Sequence, residues 1–219
     1  MENSCELIFP CRDEAAALPG LLALVPAELD VIVVDNGSTD GTAEVAERCG
    51  ARVVRESRPG YGAAVHAGLL AARAEWVAVM DGDGSLDPRE LLPLLRCVQR
   101  GEATMAVGRR QQAVRGAWPW HARAGNVAVL WWLRRRTGLR LHDIAPARVC
   151  GREGLLGLDV RDRRFGYPVE LLVRAERAGW RLRELDVSYR PRAAGTRSKV
   201  SGSLVGTLRA ALDFSRVLP

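Results

Sequence analysis

Short apolar runs alternate with longer segments of helical periodicity through the first half of the chain. The apolar runs predict five strands, at residues 7–10, 31–34, 51–55, 76–80 and 104–107. The segments between them predict helices at residues 15–25, 42–49, 63–74 and 88–100. Strands and helices that alternate this closely form βαβ units. The pattern therefore predicts an α/β fold with a mainly parallel central sheet flanked by helices.

The second half of the chain has a different pattern. It predicts helices at residues 118–136, 166–178 and 205–217, a strand at residues 182–189, and a basic, polar loop at residues 190–202. The chain has 219 residues, which suits one domain, so we expect a single domain over residues 1–219.

Polar segments follow three of the predicted strands. In a parallel sheet the carboxyl ends of the strands meet at one rim, where ligands bind. Asp81-Gly82-Asp83 comes directly after the run WVAVM, and the glycine permits a turn there. Two carboxylates suit Mg²⁺ or Mn²⁺, which keeps open positions for a diphosphate. A plain Asp-Gly turn is the alternative, and the position of the motif at a strand end favours the metal site.

The other two rim segments offer nucleotide-binding side chains. Asp35 at the end of the second strand can accept hydrogen bonds from a base or ribose. Arg12 can face a phosphate or a base, and Glu14 can hold the ribose. Helix capping by Asp13 and by residues 38–42 explains part of these segments equally well. A glycine-rich helix entrance that includes Gly62 permits close backbone approach to a ligand or is simply a turn.

Basic residues cluster in two places in the second half. Arg192, Arg197 and Lys199 lie on a glycine-containing loop that suits a diphosphate or, alternatively, plain solvent. Tryptophans and arginines share the predicted helix at residues 118–136, which fits either a bilayer interface or a core helix with a cationic end: Trp118, Trp120, Trp131, Trp132, Arg134, Arg135 and Arg136.

The amino-acid composition indicates which kind of binding partner and which cellular compartment to expect. The net charge of +6 favours an anionic partner, but the basic regions lack any nucleic-acid motif, so we expect no nucleic acid. Five cysteines, without a Cys-x-x-Cys pair, suit the reducing cytosol. The N-terminus lacks the apolar region of a signal peptide, and no apolar run approaches the ~20 residues of a membrane span. We therefore expect a cytoplasmic protein, with a peripheral position at the inner membrane face as a further expectation.

Several motifs together resemble family 2 glycosyltransferases of the GT-A fold, on the branch with dolichyl-phosphate mannosyltransferase-like enzymes. The matching segments are PCRDE, VIVVDNGSTDGT, GYGAAVHAG, VMDGDGSLDP, VGRR and RSKVSG, in the family's order along the chain. The segments DIAPAR and FGYPVE are similar to a further pattern of these proteins. Ala145, Ala147, Asp13 and Ser85 depart from the family's usual residues.

The resemblance implies a function and a set of roles. The enzyme would transfer a sugar, with inversion, from a UDP- or GDP-linked donor, with Mg²⁺ or Mn²⁺ on Asp81 and Asp83. Residues 1–110 would form the nucleotide-binding half and residues 111–219 the acceptor-binding half. The donor would contact Pro10, Arg12, Glu14, Asp35, Gly62, Asp81, Gly82, Asp83 and Arg109. Phosphate or acceptor would contact Arg123, Arg192, Arg197, Ser198 and Lys199.

The acceptor and the reaction class stay open at the level of the sequence. An alcohol acceptor needs a general base, for which Asp143 and Glu170 are the candidates, whereas a polyprenyl phosphate is already an anion. The basic loop and the Trp/Arg helix favour the phosphate. A nucleotidyltransferase on a similar sheet is one alternative, although PCRDE is not its usual glycine-rich loop. A non-catalytic nucleotide-sugar or lipid-binding protein is the other.

Overall fold

A computed structural model describes residues 5–114 and 120–193. The strands within these residues are β1 (Cys5–Cys11), β2 (Leu29–Asp35), β3 (Arg52–Arg55), β4 (Trp76–Met80), β5 (Met105–Gln112), β6 (Ala147–Gly151) and β7 (Leu182–Tyr189). The helices are α1 (Leu18–Leu22), α2 (Thr42–Arg48), α3 (Tyr61–Ala71), α4 (Leu91–Gln99), α5 (Trp120–Thr137), α6 (Arg152–Gly157) and α7 (Tyr167–Arg177), with a 3-10 turn at Pro88–Glu90 before α4.

The described strands form one sheet in the order β3-β2-β1-β4-β6-β5-β7. The pairs β3–β2, β2–β1, β1–β4 and β5–β7 are parallel, and β6 alone runs antiparallel to its neighbours β4 and β5. The predicted α/β fold with a mainly parallel sheet is confirmed. Because β6 runs in the opposite direction, it begins at the rim where β4 ends, and Met80 pairs with Ala147 there.

Both faces of the sheet are largely buried at β1, β2 and β4, as the apolar runs of these strands require. In β1, Ile8 packs on one face with helices α3, α5 and α7, while Leu7 and Phe9 pack on the other with α1, α2 and α4. The alternation of successive side chains between the two faces explains why these runs contain hardly a polar residue. The result is a rigid three-layer body that fixes the strand ends at the rim.

Two predicted elements differ from the structure. The first helix is only Leu18–Leu22, because the amides of residues 13–15 are hydrogen-bonded to Ser38, Thr42 and Asp40 of the next loop and are not helical. The sequence pattern also missed β6 and the short α6. Strand β6 has five residues and contains an arginine, so it lacks a clear apolar signal. The helix predicted at residues 205–217 lies outside the described residues.

No helix within residues 5–114 and 120–193 is long and apolar enough to cross a bilayer. The longest of them, α5, has 18 residues and four arginines.

Candidate functional site

A cleft of about 460 Å³ opens at the carboxyl ends of β1, β2 and β4. This volume lies in the usual range for small-molecule sites. Its lining combines three strand ends with the start of α3, the loop before α7 and the segment after β7: Pro10, Cys11, Arg12, Glu14, Asn36, Pro59, Gly60, Tyr61, Ala64, Asp81, Gly82, Asp83, Arg164, Phe165 and Arg192. The polar segments after β1, β2 and β4, which are far apart in the sequence, thus meet at the predicted rim.

Asp81 and Asp83 lie at the end of β4 and both line the cleft. Asp83 is buried, and its Oδ1 accepts a hydrogen bond of 2.9 Å from the Ser85 amide, which holds the turn. Gly84 has φ +76°, a conformation that glycine adopts readily. Burial and the nearby charge of Asp83 raise the pKa of Asp81 to about 6. A pair of carboxylates that repel each other in this way is suited to a divalent cation.

Arg192 faces the carboxylate pair from the segment after β7. Its Nη1 lies 2.7 Å from Asp83 Oδ2. The backbone of the same segment is fixed to the turn, because the Ala193 amide donates to the Asp83 carbonyl and the Arg190 amide donates to the Ser85 carbonyl. Arg192, which was predicted to bind phosphate, therefore lies beside the carboxylate pair. Its predicted companions Arg197, Ser198 and Lys199 lie outside the described residues.

Asp143 is buried in a bidentate ion pair with Arg110. Arg110 Nη2 is 2.6 Å from Asp143 Oδ1, and its Nε is 2.8 Å from Oδ2, which also accepts from the Arg110 amide at 2.9 Å. Burial lowers the pKa of Arg110, but the hydrogen bonds and charge of Asp143 outweigh this, and the pKa is raised. The charge of Arg110 also lowers the pKa of Asp81. Asp143 thus holds a cation near the carboxylate pair.

Arg148 of β6 adds a buried positive charge behind the cleft. Its Nη2 donates to the Tyr61 hydroxyl at 2.6 Å, and its guanidinium lies 5.8 Å and 6.0 Å from the ring centres of Tyr61 and Tyr167. Burial raises the pKa of Tyr61 to about 12 although the charge of Arg148 lowers it, so the hydroxyl is neutral at physiological pH. Through Tyr61, which lines the cleft, Arg148 contributes to a cationic environment opposite the two aspartates.

The first two rim loops are joined by hydrogen bonds. Thr39 donates its amide to Asp13 Oδ1 at 2.8 Å, and Asp13, with φ 53°, donates its own amide to Ser38 Oγ. Glu14 is buried and its amide donates to Thr42 Oγ1 at 2.9 Å. Pro10, Arg12 and Glu14 therefore line a fixed wall of the cleft, and their contact with a nucleotide stays a prediction.

Asn36 lines the cleft where the sequence pointed to its neighbour Asp35. Asp35 accepts a hydrogen bond from the Ser38 amide at 3.0 Å and pairs in register with Cys11. The Asn36 side chain joins two loops, since its Nδ2 donates to the carbonyls of Glu56 and Arg58 and its Oδ1 accepts from the Gly60 amide. Asn36 thereby fixes the entrance of α3 beside the first strand end.

Gly62 has a structural explanation that the sequence did not suggest. Its amide donates to the Arg164 carbonyl at 3.1 Å. A β-carbon at position 62 would lie within 3.0 Å of the Asp162 carbonyl oxygen and of Tyr167 Cβ. Glycine is therefore required here because the start of α3 packs on the backbone of the loop before α7. Gly60 and Tyr61 line the cleft instead.

Besides Asp35, Gly62 and Asp143, three further predicted site residues lie away from the described lining of the cleft. Arg109 pairs with Asp186 of β7 at 2.6 Å on the other side of its strand. Arg123 is exposed on α5. Glu170 accepts hydrogen bonds from the amides of Arg161 and Asp162 and from Arg174 Nε, and it lines a separate open groove of about 750 Å³ between α6 and α7.

Some residues of the site were missed by reasoning from the sequence. Arg110, Arg148, Asn36, Tyr61 and Phe165 all stand in quoted motifs, yet none was assigned a role. The sequence offered two signals for the arginines of the site. Arg148 interrupts the apolar segment of β6, and Arg110 is the second arginine of VGRR. Their roles depend on pairing across β5 and β6, which the sequence pattern did not reveal.

The two carboxylates of the cleft fit a divalent cation whose other coordination positions would be filled by a bound ligand. Asp81 and Asp83 offer hard carboxylate oxygens. Within residues 5–114 and 120–193, no group of three or more His, Cys, Asp or Glu side chains forms a metal site. Two carboxylates alone leave most positions of a Mg²⁺ or Mn²⁺ ion open, as a site that takes phosphate oxygens from its ligand requires.

A family model described as "Glycosyl transferase family 2" matches residues 6–151, which include both aspartates, Arg110 and Arg148. The chain belongs to glycosyl transferase family 2. An uncharacterized glycosyltransferase of Mycobacterium tuberculosis (strain ATCC 25618 / H37Rv) is 55% identical over 99% of this chain and 98% of its own length. The undecaprenyl-phosphate mannosyltransferase of Micrococcus luteus is 30% identical over 91% of this chain and 88% of its own length.

A solved structure supports the fold assignment of this family 2 member. Glucosyl-3-phosphoglycerate synthase from Mycobacterium tuberculosis, in complex with Mn²⁺, UDP and glucosyl-3-phosphoglycerate, superimposes with a TM-score of 0.76 at 20% identity. The similarity covers 99% of this chain and 80% of the synthase. The family 2 protein described here is a glycosyltransferase with the GT-A fold.

Proposed function

We propose that this glycosyltransferase moves a sugar, with inversion, from a nucleoside diphosphate sugar to a polyprenyl phosphate. The observation that carries the proposal is the pair Asp81 and Asp83 in a cleft that also holds Arg192, with Arg110 and Arg148 behind it. Carboxylates for a divalent metal beside cations for phosphate are what a diphosphate leaving group requires. The similar synthase structure was solved with Mn²⁺ and UDP bound, which supports the same assignment.

In the proposed complex the nucleotide lies against Pro10, Arg12, Glu14 and the Asp35–Asn36 strand end. Mg²⁺ or Mn²⁺ on Asp81 and Asp83 would act as a Lewis acid on the diphosphate. Arg192 would exchange its contact with Asp83 for one with the leaving diphosphate and stabilise the negative charge that develops there. Residues 1–110 then form the donor half of a single domain, and residues 111–219 form the acceptor half.

The hydrogen bonds of the two candidate general bases, Asp143 and Glu170, favour an acceptor that is already an anion. Both oxygens of Asp143 accept hydrogen bonds from Arg110, and both oxygens of Glu170 accept from amides or from Arg174. Either carboxylate would have to break an ion pair before it accepted a proton from a hydroxyl. A phosphate acceptor needs no such base, because it attacks the anomeric carbon as an anion. The name of the Micrococcus luteus relative supports a polyprenyl phosphate acceptor.

We also propose that the reaction takes place at the cytoplasmic face of a membrane. All five cysteines are free thiols, which suits a reducing compartment. A polyprenyl phosphate would be presented to the enzyme at the bilayer surface.

A paired-acceptor assay tests the proposal. UDP- and GDP-sugars are supplied with Mn²⁺ and either a polyprenyl phosphate or the matching polyprenol, in detergent. We expect nucleoside diphosphate release and a glycosylated lipid with the phosphate only, and NMR should show an anomeric configuration opposite to that of the donor. Asp83→Asn should abolish release, whereas Asp186→Asn, a change to an exposed carboxylate outside the cleft, should not.

Other outcomes point to other functions. Equal transfer to the polyprenol would overturn the phosphate acceptor. Donor binding without release would favour a non-catalytic binding protein. Formation of a nucleotide sugar from a sugar phosphate and a nucleoside triphosphate would indicate a nucleotidyltransferase.

A further inference from the structure

The outward face of α5 carries a stripe of exposed apolar side chains. Trp120, Val127 and Trp131 are 79%, 64% and 56% exposed. Their spacing of seven and four residues places them on one side of the helix. Leu130 and Leu133 face the other way and are buried in the core. We call Trp120, Val127 and Trp131 the α5 stripe.

The α5 stripe is surrounded by positive charge. Helix α5 contains four arginines and no acidic residue: Arg123, Arg134, Arg135 and Arg136. The Arg135 guanidinium lies 4.4 Å from the ring centre of Trp131, so a cation is held beside an exposed indole. Exposed tryptophan beside arginine is the combination that suits the headgroup region of an anionic bilayer.

The structure also answers whether the tryptophans belong to the core. Trp132 is only partly exposed and packs against the core cluster, with Arg136 at 5.4 Å from its ring centre. Trp131 points outward. The two adjacent tryptophans therefore have different roles, and the surface depends on Trp131 and Trp120.

Helix α5 is attached at the rim that carries the cleft. The chain leaves the rim at the end of β5 and returns to it at the start of β6, so α5 lies within a rim connection. Asn126 of α5 is buried and fixes the loop that follows, because its Nδ2 donates to the His142 carbonyl and its Oδ1 accepts from the Ile144 amide. Asp143, the partner of Arg110, lies between these two residues.

We propose that the α5 stripe and its arginines form a docking surface for an anionic lipid bilayer. A second copy of the chain is disfavoured as the occupant, because two copies of a helix with four arginines and no acidic residue would repel each other. An anionic membrane offers both the negative charge and the apolar boundary that the surface matches. This inference does not depend on the proposed acceptor. If the acceptor is a polyprenyl phosphate, the surface also brings the cleft close to it.

Vesicle co-sedimentation tests the docking surface. The full chain is mixed with phosphatidylcholine vesicles that contain or lack phosphatidylglycerol. We expect binding to the anionic vesicles only, weakened by high salt. Trp120→Ala/Trp131→Ala and Arg134→Gln/Arg135→Gln should each lower the partition coefficient about tenfold. Leu70→Ala and Arg100→Gln, which change an exposed leucine on α3 and an exposed arginine after α4, should leave it unchanged.

The outcomes separate this inference from the proposed function. Thermal melting should show that each variant is folded, and transfer in detergent should match that of the wild type. Vesicle binding that persists in both α5 variants overturns the docking surface. Concentration-dependent dimers that the tryptophan variant abolishes, without vesicle binding by the wild type, overturn it in favour of a second copy. A protein that binds vesicles but transfers no sugar would contradict the proposed function alone.

Discussion

Gly82 packs directly against the sulfur of Cys11. The turn after β4, which carries Asp81 and Asp83, is therefore in contact with the end of β1. A β-carbon at position 82 would lie within 3.0 Å of Cys11 Sγ, and the next nearest atoms, Phe9 Cβ and Cys11 Cβ, would be at 3.8 Å and 3.9 Å. The glycine of the motif is therefore required by packing as well as by the turn. Asp81 and Asp83 lie on either side of this contact and both line the cleft.

Gly82→Ala should destabilise the fold by about 1–3 kcal/mol, because the new methyl group overpacks a filled site. It should also lower donor turnover by shifting both aspartates. Removal of the sulfur in Gly82→Ala/Cys11→Ala should restore most of the stability, since only ordinary contacts remain. Urea unfolding of the single and double variants measures this. Equal unfolding free energies for Gly82→Ala and the double variant would contradict the contact.

The thiols of Cys11 and Cys49 should differ in reactivity. Cys11 is buried, and burial together with the charges of Glu14, Asp83, Asp35 and Asp81 raises its pKa well above the usual range. The folded protein therefore keeps this thiol protonated at pH 8, whereas Cys49 is exposed. Maleimide should label Cys49 more than about 100-fold faster than Cys11.

A Cys49→Ser variant provides the control for this labelling experiment. It should remain almost unlabelled in its native state, because the remaining thiols are buried, and should take up label at four positions in urea. Rapid native labelling of Cys11, located by peptide mass spectrometry, would contradict the buried environment.

Breaking the Arg110–Asp143 pair should be costly. Asp143→Ala leaves a guanidinium that is 17% exposed without its bidentate partner, so the free energy of unfolding should fall by about 3–5 kcal/mol. Arg110→Met/Asp143→Leu removes both charges and should recover most of the loss. Urea unfolding of both proteins measures this. A loss below about 1 kcal/mol in Asp143→Ala would mean that the pair is not needed for stability.

Arg192→Ala should separate leaving-group stabilisation from metal binding. Without this cation, kcat/KM for the donor should fall about 10- to 100-fold, because the departing diphosphate loses a charged partner. The Mn²⁺ affinity of the nucleotide-free protein should hold or rise, because Asp83 is released from its ion pair. Electron paramagnetic resonance titration and steady-state kinetics measure the two effects.

Arg190→Ala is the matched control for Arg192. Arg190 precedes it by two residues but faces Asp87, with Nη2 at 3.7 Å from Oδ2. Its removal should change kcat/KM less than about threefold, since Arg190 is half-exposed and outside the lining of the cleft, and the buried Asp87 keeps its ion pair with Arg89. If both variants lost the same amount of activity, the loss would come from a disturbed segment after β7 and not from the missing charge of Arg192.

Metal binding should weaken in acid. The pKa of Asp81 is raised to about 6, so the carboxyl is largely ionised at pH 7 and largely protonated at pH 5. Since the metal requires the ionised form, Mn²⁺ affinity should be about tenfold lower at pH 5 than at pH 7. Asp83→Asn removes the neighbouring negative charge and should reduce this pH dependence as well as overall affinity. Equal wild-type affinities at the two pH values would contradict the raised pKa.

The apolar pattern predicted the layout of the donor half well. Strands β1, β2 and β4 contribute buried side chains to the cores on both faces of the sheet, so each contains an apolar run in the sequence that ends at a polar rim segment. Strand β6 was missed because Arg148 interrupts its short apolar run. The helix after β1 was predicted too long because its first amides bond to the next loop, a partner that local periodicity does not report.

The sequence by itself determined the α/β class, the rim and the carboxylate pair Asp81 and Asp83, because these follow from local periodicity and from where each strand ends. Only the tertiary structure decided which charges meet. Arg192 reaches Asp83, and Arg110 holds Asp143, across large sequence separations. Such pairs depend on the antiparallel insertion of β6 and on the course of the chain after β7. Ion pairing is set by distances in space, and the periodicity of a sequence does not contain those distances.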